Sequence, residues 1–330
     1  MSGDRLSLAI GAGDLPAEGR ILVLGPPGQA DLSALPAGRI IVEQTFRPDH
    51  DAWARRGLEV TARAEGPFAA AIVFAQRSRD ASRAAVARAA SLVATGGPIW
   101  VDGAKTDGID SLLKDLRARV GLSSPLAKAH GKIARFANEA DQVFADWAAR
   151  DLTPAPGFKT RPGVFSAEAV DRGSLCLAAA LPADLKGKVA DLGAGWGWLS
   201  AQILARPGVS LLHLVEADRV ALDCARLNVT DPRARFHWED ATIFTPGDRM
   251  DWVVMNPPFH VSRAADPGLG IAFIRAAAAM LAPHGRLLMV ANRHLPYEKT
   301  LAAAFRHVAE VSVGDGFKVL KASAPLRSRP

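Results

Sequence analysis

The stretch "VADLGAGWGWLS", residues 189–200, decides the fold of the second half of the chain. Its first residues predict a strand that ends near Asp191, and Gly193, Gly195 and Gly197 follow in a loop that opens a helix. Glycines allow the tight turn from strand to helix and let a ligand lie on the backbone, while the start of the helix favours an anionic group. The stretch therefore predicts a ligand-binding unit of a Rossmann-like α/β fold.

The loop alone would also fit a dinucleotide site or a plain turn. Its spacing is G-x-G-x-G instead of the G-x-G-x-x-G of dinucleotide folds, and an acid, Asp191, lies two residues before Gly193. Both features favour S-adenosylmethionine over NAD. We therefore predict that Asp191, Gly193, Ala194 and Gly195 bind this cofactor.

The composition is that of a globular protein large enough for two domains. The chain has 330 residues, of which 49% are hydrophobic and 22% are charged, which argues against a disordered or fibrous protein. The 40 Lys and Arg residues exceed the 34 Asp and Glu residues, for a net charge of +6. This balance is a mild bias toward polyanionic partners, and it does not decide the function.

The sequence also predicts a compartment. Its apolar runs are broken by Gly, Pro or charge before they reach the roughly 18 residues that span a bilayer, and the first residues do not resemble a secretory signal. Cys176 and Cys224 form no CxxC pair, and no His/Cys cluster predicts a metal site. We expect a protein of the reducing cytoplasm, with no membrane association and no metal.

Strand-like runs alternate with Ala-rich helical stretches along the chain, a pattern typical of α/β layers around a parallel sheet. A segment rich in Pro and Gly at 150–166 predicts a boundary between one domain at 1–150 and another at 151–330. The predicted strands cover residues 20–25, 39–44, 69–75, 98–103, 187–193, 210–218, 234–240, 251–256, 285–292 and 317–323. The predicted helices cover residues 79–97, 198–205, 219–228, 269–282 and 296–305.

The two halves share a weak internal repeat. Each contains, in the same order, a strand, a polar loop, an Ala-rich helix, a glycine break and another strand. Either the halves correspond, or any two α/β regions look alike at this level. In both cases the first half has "AQRS" (75–78) where the second has "NPPF" (256–259). The first half therefore lacks the segment to which we assign catalysis in the second half.

Acids follow two further predicted strands of the second half. Glu216 ends the strand after the glycine loop, where an acid can accept hydrogen bonds from both ribose hydroxyls. A solvated acid at a strand end is the simpler alternative, but the glycine loop before it favours the ribose ligand, with Asp218 as the second candidate. Asp240 follows the next strand, where its carboxylate can accept a hydrogen bond from an adenine amino group and Ala241 can donate its backbone N–H. Taken alone, Asp240 would be a turn or cap acid.

The stretch "VVMNPPFH", residues 253–260, carries the reaction chemistry. An exocyclic amino group is a poor nucleophile because its lone pair is delocalised, and two acceptors on its N–H bonds favour the pyramidal, more nucleophilic form. Asn256 offers its side-chain oxygen and Pro257 its backbone carbonyl. Pro257 and Pro258 fix the loop in advance, and Phe259 can stack on a flat base. An isolated N-P-P would suggest only a rigid turn; its position after the glycine loop and the ribose-type acid favours catalysis.

With these residues identified, the second half resembles the small-type methyltransferase domain of the ribosomal RNA guanine-N2 methyltransferases, and most resembles the small-subunit methyltransferase C family. The resemblance runs through residues 160–323 in the family's order and spacing. Its segments are "PGVFSAEAVDRGSLCL" (162–177), "DLGAGWG" (191–197), "VEAD" (215–218), "MNPPFH" (255–260), "VANRHLPY" (290–297) and "GFKVLKA" (316–322). The departures are Trp196 and Trp198 in the glycine loop and a divergent first half.

The resemblance implies two tandem Rossmann-like class I methyltransferase domains, of which the first is degenerate and supports RNA binding or folding. It implies a seven-stranded, mostly parallel sheet in the second domain, S-adenosylmethionine as methyl donor, and N2 of a guanine in 16S rRNA as acceptor. The partner is ribosomal RNA or the small subunit, and the protein is expected to be a monomer. The cofactor-binding residues are then Asp191, Gly193, Ala194, Gly195, Glu216, Ala217, Asp240, Ala241 and Asn256, and the catalytic residues are Asn256, Pro257, Pro258 and Phe259.

Other functions use the same N-P-P chemistry. A methyltransferase for DNA adenine, for a guanine of 23S rRNA or for a protein glutamine would share the loop, although DNA and protein enzymes more often have Tyr at the position of Phe259. A protein of a different class would be a non-catalytic RNA-binding scaffold. Loss of the N-P-P segment would mark such a scaffold, and this chain retains the segment in its second half.

Overall fold

The structure of the chain, a computed structural model, describes residues 3–11, 14–139, 141–258, 267–314 and 316–326. The chain divides into two compact units. The N-terminal unit consists of Met1–Asp151 with Arg161–Gly163, and the C-terminal unit consists of Leu152–Thr160 with Val164–Pro330. Both units have the α/β architecture that the alternating sequence pattern predicts.

The N-terminal unit is built from seven strands within its described residues. They are β1 (Ile21–Leu24), β2 (Ile40–Glu43), β3 (Glu59–Thr61), β4 (Ala70–Phe74), β5 (Pro98–Ala104), β6 (Leu126–Lys128) and β7 (Gly131–Ala137). The helices are α1 (Gly3–Ala9), α2 (Arg47–Arg55), α3 (Arg79–Leu92) and α4 (Ile109–Arg117), with short 3-10 turns at Ala37–Arg39, Lys105–Asp107 and Asp141–Trp147.

The C-terminal unit has a matching set of elements in its described part. Its strands are β8 (Gly187–Leu192), β9 (Val209–Glu216), β10 (Ala234–Trp238), β11 (Met250–Met255), β12 (Leu281–Asn292), β13 (Phe305–Gly314) and β14 (Phe317–Pro325). Its helices are α5 (Arg172–Ala179), α6 (Trp198–Leu204), α7 (Arg219–Asn228), α8 (Pro267–Met280) and α9 (Glu298–Ala304).

The two sheets have the same strand order. It is β3-β2-β1-β4-β5-β7-β6 in the N-terminal unit and β10-β9-β8-β11-β12-β14-β13 in the C-terminal unit, so each reads 3-2-1-4-5-7-6 when numbered from its own first strand. The first five strands of each unit pair in parallel, and the seventh strand is antiparallel to both of its neighbours. The internal repeat is therefore a repeat of the complete sheet, and the predicted mostly parallel seven-stranded sheet is confirmed.

The central strands are apolar because helices or loops cover both of their faces. Every residue of β1 and β4 is buried, as are the last four residues of β8 and of β11. On one face of the C-terminal sheet α8 and α9 pack over residues such as Val253 and Met255, and on the other α5, α6 and α7 pack over residues such as Val189 and Val254.

Some predicted elements differ from the observed ones. The helix predicted over 79–97 ends at Leu92, because Val93 is extended and forms a β-bridge with Phe68. Strand β13 was predicted in part as helix and otherwise missed, since it is the exposed edge of its sheet and carries polar residues in alternation instead of an apolar run. The short helix α5 was also missed. It begins at Asp171, whose carboxylate accepts the N–H of Ser174 at 2.8 Å.

Candidate functional site

The predicted site residues gather at one edge of the C-terminal sheet. Strands β10, β9, β8 and β11 are parallel neighbours, so their carboxyl ends meet at the same edge, where ligands of open α/β sheets bind. These four strands end at Trp238, Glu216, Leu192 and Met255. The predicted acids, the glycine loop and Asn256 lie at or directly after those ends.

The glycine loop follows β8 and is anchored on β9. The N–H groups of Gly193 and Ala194 both donate to the carbonyl of Val215, at 2.9 and 3.1 Å. Gly193 has φ +76° and Gly195 has φ +56°, in the left-handed region that favours glycine. A side chain at Gly195 would meet no neighbouring atom within 4 Å, so its backbone conformation, not lack of space, requires glycine there.

Glu216 ends β9 and holds the next turn of the loop. Its Oε2 accepts the N–H of Gly195 and its Oε1 accepts the N–H of Asp218, both at 2.8 Å. Burial raises the pKa of the Glu216 carboxyl, and these backbone N–H groups oppose the rise. The carboxylate of Glu216 thus contacts the glycine loop directly, and its role toward a ribose stays a prediction.

Asp218, the alternative ribose ligand, has a different place in the structure. Its Oδ1 accepts the N–H of Val220 at 2.9 Å and caps α7. Burial, followed by the charge of Glu216, raises the pKa of Asp218 to about 7. Asp218 thus serves the start of α7, whereas Glu216 holds the glycine loop itself.

Asp191 is the penultimate residue of β8, just before the glycine loop, with 0% of its surface exposed. Its Oδ2 accepts the hydroxyl of Ser200 at 2.6 Å, and its Oδ1 has no hydrogen-bond partner within the described part of the chain. Burial is the main cause that raises the pKa of Asp191 to about 7; the hydrogen bond from Ser200 lowers it and the charge of Glu216 raises it. A buried acceptor without a partner is a rare feature and favours a ligand that donates a hydrogen bond here.

Asp240 and Ala241 follow β10 on the far side of Glu216. The Oδ1 of Asp240 accepts both the N–H and the hydroxyl of Thr242, at 2.8 and 2.7 Å, so part of its role is to form a tight turn. The indole of Trp238 donates to the carbonyl of Ala217 at 2.9 Å and ties the ends of β9 and β10 together. Ala241 is buried.

Asn256 follows β11, and its amide is fixed by the first turn of α5. The Nδ2 atom donates to Oδ2 of Asp171 at 2.8 Å and to Oγ of Ser174 at 2.9 Å. Pro257 is buried and Pro258 is exposed. Phe259, the predicted stacking ring, lies outside the described residues.

One cavity joins the glycine loop to Asn256. Among the predicted site residues it brings together Gly193, Ala194, Gly195 and Asn256, whereas Asp191, Glu216, Ala217, Asp240, Ala241, Pro257 and Pro258 do not line it. The other lining residues are Phe165, Val170, Asp171, Ser174, Trp196, Trp198 and Leu199. Several of these come from the segment before α5, so sequence reasoning missed one whole wall of the site.

The loop residue Trp196 connects this wall to the glycine loop. Its indole Nε1 donates to the carbonyl of Phe165 at 3.2 Å, and its ring packs edge-on against Phe158 with 5.6 Å between centroids. Trp196 is 5% exposed, while the side chain of Phe165 is 66% exposed at the cavity. The unusual tryptophan in the loop was therefore the available signal for the missed wall.

The corresponding edge of the N-terminal unit is arranged differently. Glu43 ends β2, as Glu216 ends β9, but its carboxylate binds the guanidinium of Arg88, with Nε–Oε1 and Nη2–Oε2 distances of 2.9 and 2.8 Å. The N–H of Ala64 also donates to Oε2 of Glu43 at 2.7 Å. The loop after β1 contains Pro26, whose carbonyl accepts hydrogen bonds from the Gln44 and Trp53 side chains.

Among the described residues, no group of three or more His, Cys, Asp or Glu side chains is arranged to hold a metal ion. None of the helices that these residues form is both long and apolar enough to cross a membrane.

Comparisons with known proteins agree on one family. Residues 156–321 match the family model of the methyltransferase small domain. The ribosomal RNA small subunit methyltransferase C of Shewanella oneidensis is 30% identical over 242 residues, which are 70% of this chain and 70% of the relative. That of Idiomarina loihiensis is 26% identical over 322 residues, which are 93% and 94% of the two chains.

A solved structure is similar over both units. It is the T. thermophilus 16S rRNA N2 methyltransferase in complex with AdoMet and guanosine. The similarity has a TM-score of 0.79 at 25% sequence identity and covers 98% of this chain and 91% of that chain. The tandem arrangement of two class I methyltransferase folds is thus shared with a solved two-domain protein.

Proposed function

Since the chain belongs to the ribosomal RNA small subunit methyltransferase C family, we propose that it transfers the methyl group of S-adenosylmethionine to N2 of a guanine in 16S rRNA. The active site lies in the C-terminal unit, at the cavity between the glycine loop and Asn256. The family and the cofactor both agree with the expectation from the glycine loop and the N-P-P segment.

The observation that carries this proposal is the orientation of Asn256. Its Nδ2 is bound to Asp171 and Ser174, so its oxygen, Oδ1, is the end that remains to accept a hydrogen bond. Asn256 lines the same cavity as Gly193 and Gly195. An acceptor beside a cofactor loop is what an amino-group methyltransferase requires.

The residues at the strand ends fit S-adenosylmethionine. Gly193, Ala194 and Gly195 offer backbone against which it can lie, and Asp191 has a buried oxygen suited to a hydrogen-bond donor. The two carboxylate oxygens of Glu216, which accept backbone N–H groups in this structure, would accept the ribose hydroxyls when the cofactor binds. Ala217 would lie next to the ribose. Asp240 and Ala241 would hold the adenine. When bound, the cofactor supplies an electrophilic methyl group on a sulfonium.

In the reaction, Asn256 and Pro257 hold the guanine amino group by its two N–H bonds. Oδ1 of Asn256 and the Pro257 carbonyl accept these hydrogens and direct the nitrogen lone pair toward the methyl carbon. Pro257 and Pro258 keep the loop rigid, which lowers the entropic cost of this alignment. Phe259 stacks on the base. With the cofactor bound, the amine would gain a positive charge as its new N–C bond replaces the S–C bond of the cofactor, and it would readily lose a proton to water, so no strong base is needed.

A guanine in a helix cannot present N2 to Asn256 while it is stacked, so the target base must leave its stack or lie in a single-stranded region. The substrate is rRNA or the small subunit, and the N-terminal unit supports RNA binding or folding. We further propose that the protein acts as a monomer in the cytoplasm.

The test offers labelled S-adenosylmethionine together with naked 16S rRNA, naked 23S rRNA, assembled 30S subunits, DNA and a glutamine-containing protein. Label is expected in 16S rRNA or 30S subunits, and nucleoside mass spectrometry should identify N2-methylguanosine. Label found only in DNA, 23S rRNA or protein would show that this molecule is the substrate and that 16S rRNA is not. No label in any substrate, despite cofactor binding, would favour the non-catalytic scaffold.

A further inference from the structure

We infer that Asp171 is a positioning residue, which fixes the orientation of the Asn256 amide so that Oδ1 faces the reacting amine. This inference rests on the proposed role of Asn256 in methyl transfer. Asp171 lies 85 residues before Asn256 in the sequence, at the start of α5, and lines the same cavity.

The contact has two parts. Oδ2 of Asp171 accepts the backbone N–H of Ser174 at 2.8 Å, which caps α5, and the same oxygen accepts Nδ2 of Asn256 at 2.8 Å. The hydroxyl of Ser174 accepts Nδ2 of Asn256 at 2.9 Å. One helical turn therefore presents two acceptors to the same amide nitrogen.

The chemistry of the two acceptors differs in a way that matters for orientation. An amide can rotate by 180° and exchange its NH₂ for its oxygen. A hydroxyl such as that of Ser174 can donate or accept, so it binds either end of the amide. An ionised carboxylate only accepts, so rotation would place Oδ1 of Asn256 against an oxygen of Asp171. Asp171 therefore decides which end of Asn256 faces the cavity.

Helix capping alone does not require an acid at this position. Asn and Ser cap helices about as well as Asp does. Room for the carboxylate comes from Gly173, where an added Cβ would lie 3.0 Å from Oδ2 of Asp171 and 3.2 Å from the ring of Phe317. The turn is thus shaped around a carboxylate that serves both α5 and Asn256.

Asp171→Ser is the sharpest variant, because a serine hydroxyl can keep the cap as an acceptor and can bind either end of the Asn256 amide, as donor or as acceptor. The Asn256 amide should then no longer be held in one orientation. We expect kcat on 16S rRNA to fall about 10- to 100-fold, as for other small losses of alignment. The Kd for S-adenosylmethionine should stay within about twofold, and the unfolding temperature should not fall.

Ser174→Ala is the matched comparison. It removes one acceptor of Nδ2 but leaves Asp171 in control of the orientation, so kcat should fall only about two- to fivefold. A loss as large as that of Asp171→Ser would mean that the number of hydrogen bonds, and not the carboxylate, is what matters, and would overturn the inference.

A double variant at positions 171 and 256 gives an independent test. Asn256→Asp places two carboxylates in contact and should reduce kcat strongly. Adding Asp171→Ser restores a donor, the serine hydroxyl, to one oxygen of Asp at position 256 and leaves its other oxygen toward the cavity, so the double variant should be at least about tenfold faster than Asn256→Asp alone. A purely structural role for Asp171 predicts no such rescue.

The outcomes separate the two proposals. If the unmodified protein transfers no methyl group to rRNA, the proposed function fails. If it does, but Asp171→Ser keeps normal kcat, weakens cofactor binding in proportion to the loss of rate, or fails to rescue Asn256→Asp, then only the role of Asp171 is overturned.

Discussion

The two units share one sheet topology and differ at the ends of the same strands. Glu216 and Glu43 both end the second strand of their unit. The carboxylate of Glu216 accepts the backbone N–H groups of Gly195 and Asp218, whereas the carboxylate of Glu43 is bound by two nitrogens of the Arg88 guanidinium. After the fourth strand the C-terminal unit has Asn256 and the N-terminal unit has Ala75. The fold therefore provides the positions, and side chains at the strand ends decide whether a site exists there.

The largest expected effect concerns the residue that follows the fourth strand of the C-terminal unit. Asn256→Ala should reduce methyl transfer to 16S rRNA by about 100- to 1,000-fold, the usual loss when one acceptor or donor at a reacting group is removed. Gln76→Ala, two residues past β4 in the N-terminal unit, should leave the rate unchanged. Single-turnover transfer of labelled methyl is the measurement. Equal rates for the two variants would show that Asn256 has no role in catalysis.

The next effect compares the two acids in cofactor binding. Glu216→Ala should weaken S-adenosylmethionine about 10- to 100-fold through loss of charge-assisted hydrogen bonds to the ribose, whereas Glu43→Ala should leave the affinity unchanged. Calorimetry on the whole protein should give one cofactor per chain. A stoichiometry of two, or a loss of affinity on Glu43→Ala, would show that the N-terminal unit also binds it.

A smaller effect concerns stability at the N-terminal acid. Glu43→Ala leaves Arg88 and the N–H of Ala64 without this acceptor and should lower the free energy of unfolding by about 1–3 kcal/mol. The double variant Glu43→Gln with Arg88→Met keeps an acceptor for Ala64 and removes the unpaired charge, so it should recover much of the loss. Denaturant unfolding monitors both. Equal stability of the single variant and the unmodified protein would contradict a structural role for this pair.

The smallest effect is a pH dependence at the C-terminal edge. Burial raises the pKa of Asp191 from 3.8 to about 7, so the folded state holds a proton that the unfolded state releases at lower pH. The stability is thus fully present below pH 3.8 and declines as the pH rises through about 7. Asp191→Asn should flatten the fall in unfolding temperature between about pH 4 and pH 7. An unchanged slope would mean that Asp191 is ionised throughout.

Local sequence patterns predicted the C-terminal edge of the sheet well. Glu216, Asp240 and Asn256 each follow a strand that is recognisable by its apolar run, and parallel strands bring such ends together. These residues could therefore be placed without knowledge of long-range contacts. The role that each has toward cofactor or base stays a prediction.

Long-range contacts explain what the sequence did not predict. Asp171 and Ser174 act on a residue more than 80 positions away, from a helix too short to have a clear pattern. Glu43 and Arg88 are 45 positions apart, so the segment "RIIVEQ" alone could not show that the Glu43 carboxylate binds an arginine. The exposed edge strand β13 was missed for lack of an apolar run.

The bidentate contact of Arg88 with Glu43 also constrains how this protein can evolve. Loss of Arg88 alone would leave a largely buried carboxylate with less compensation, and loss of Glu43 alone would leave the guanidinium without its partner, so each single step destabilises the unit. Cofactor binding at this strand end would require both changes together with a glycine loop after β1. The contact therefore acts against the gain of a cofactor site there.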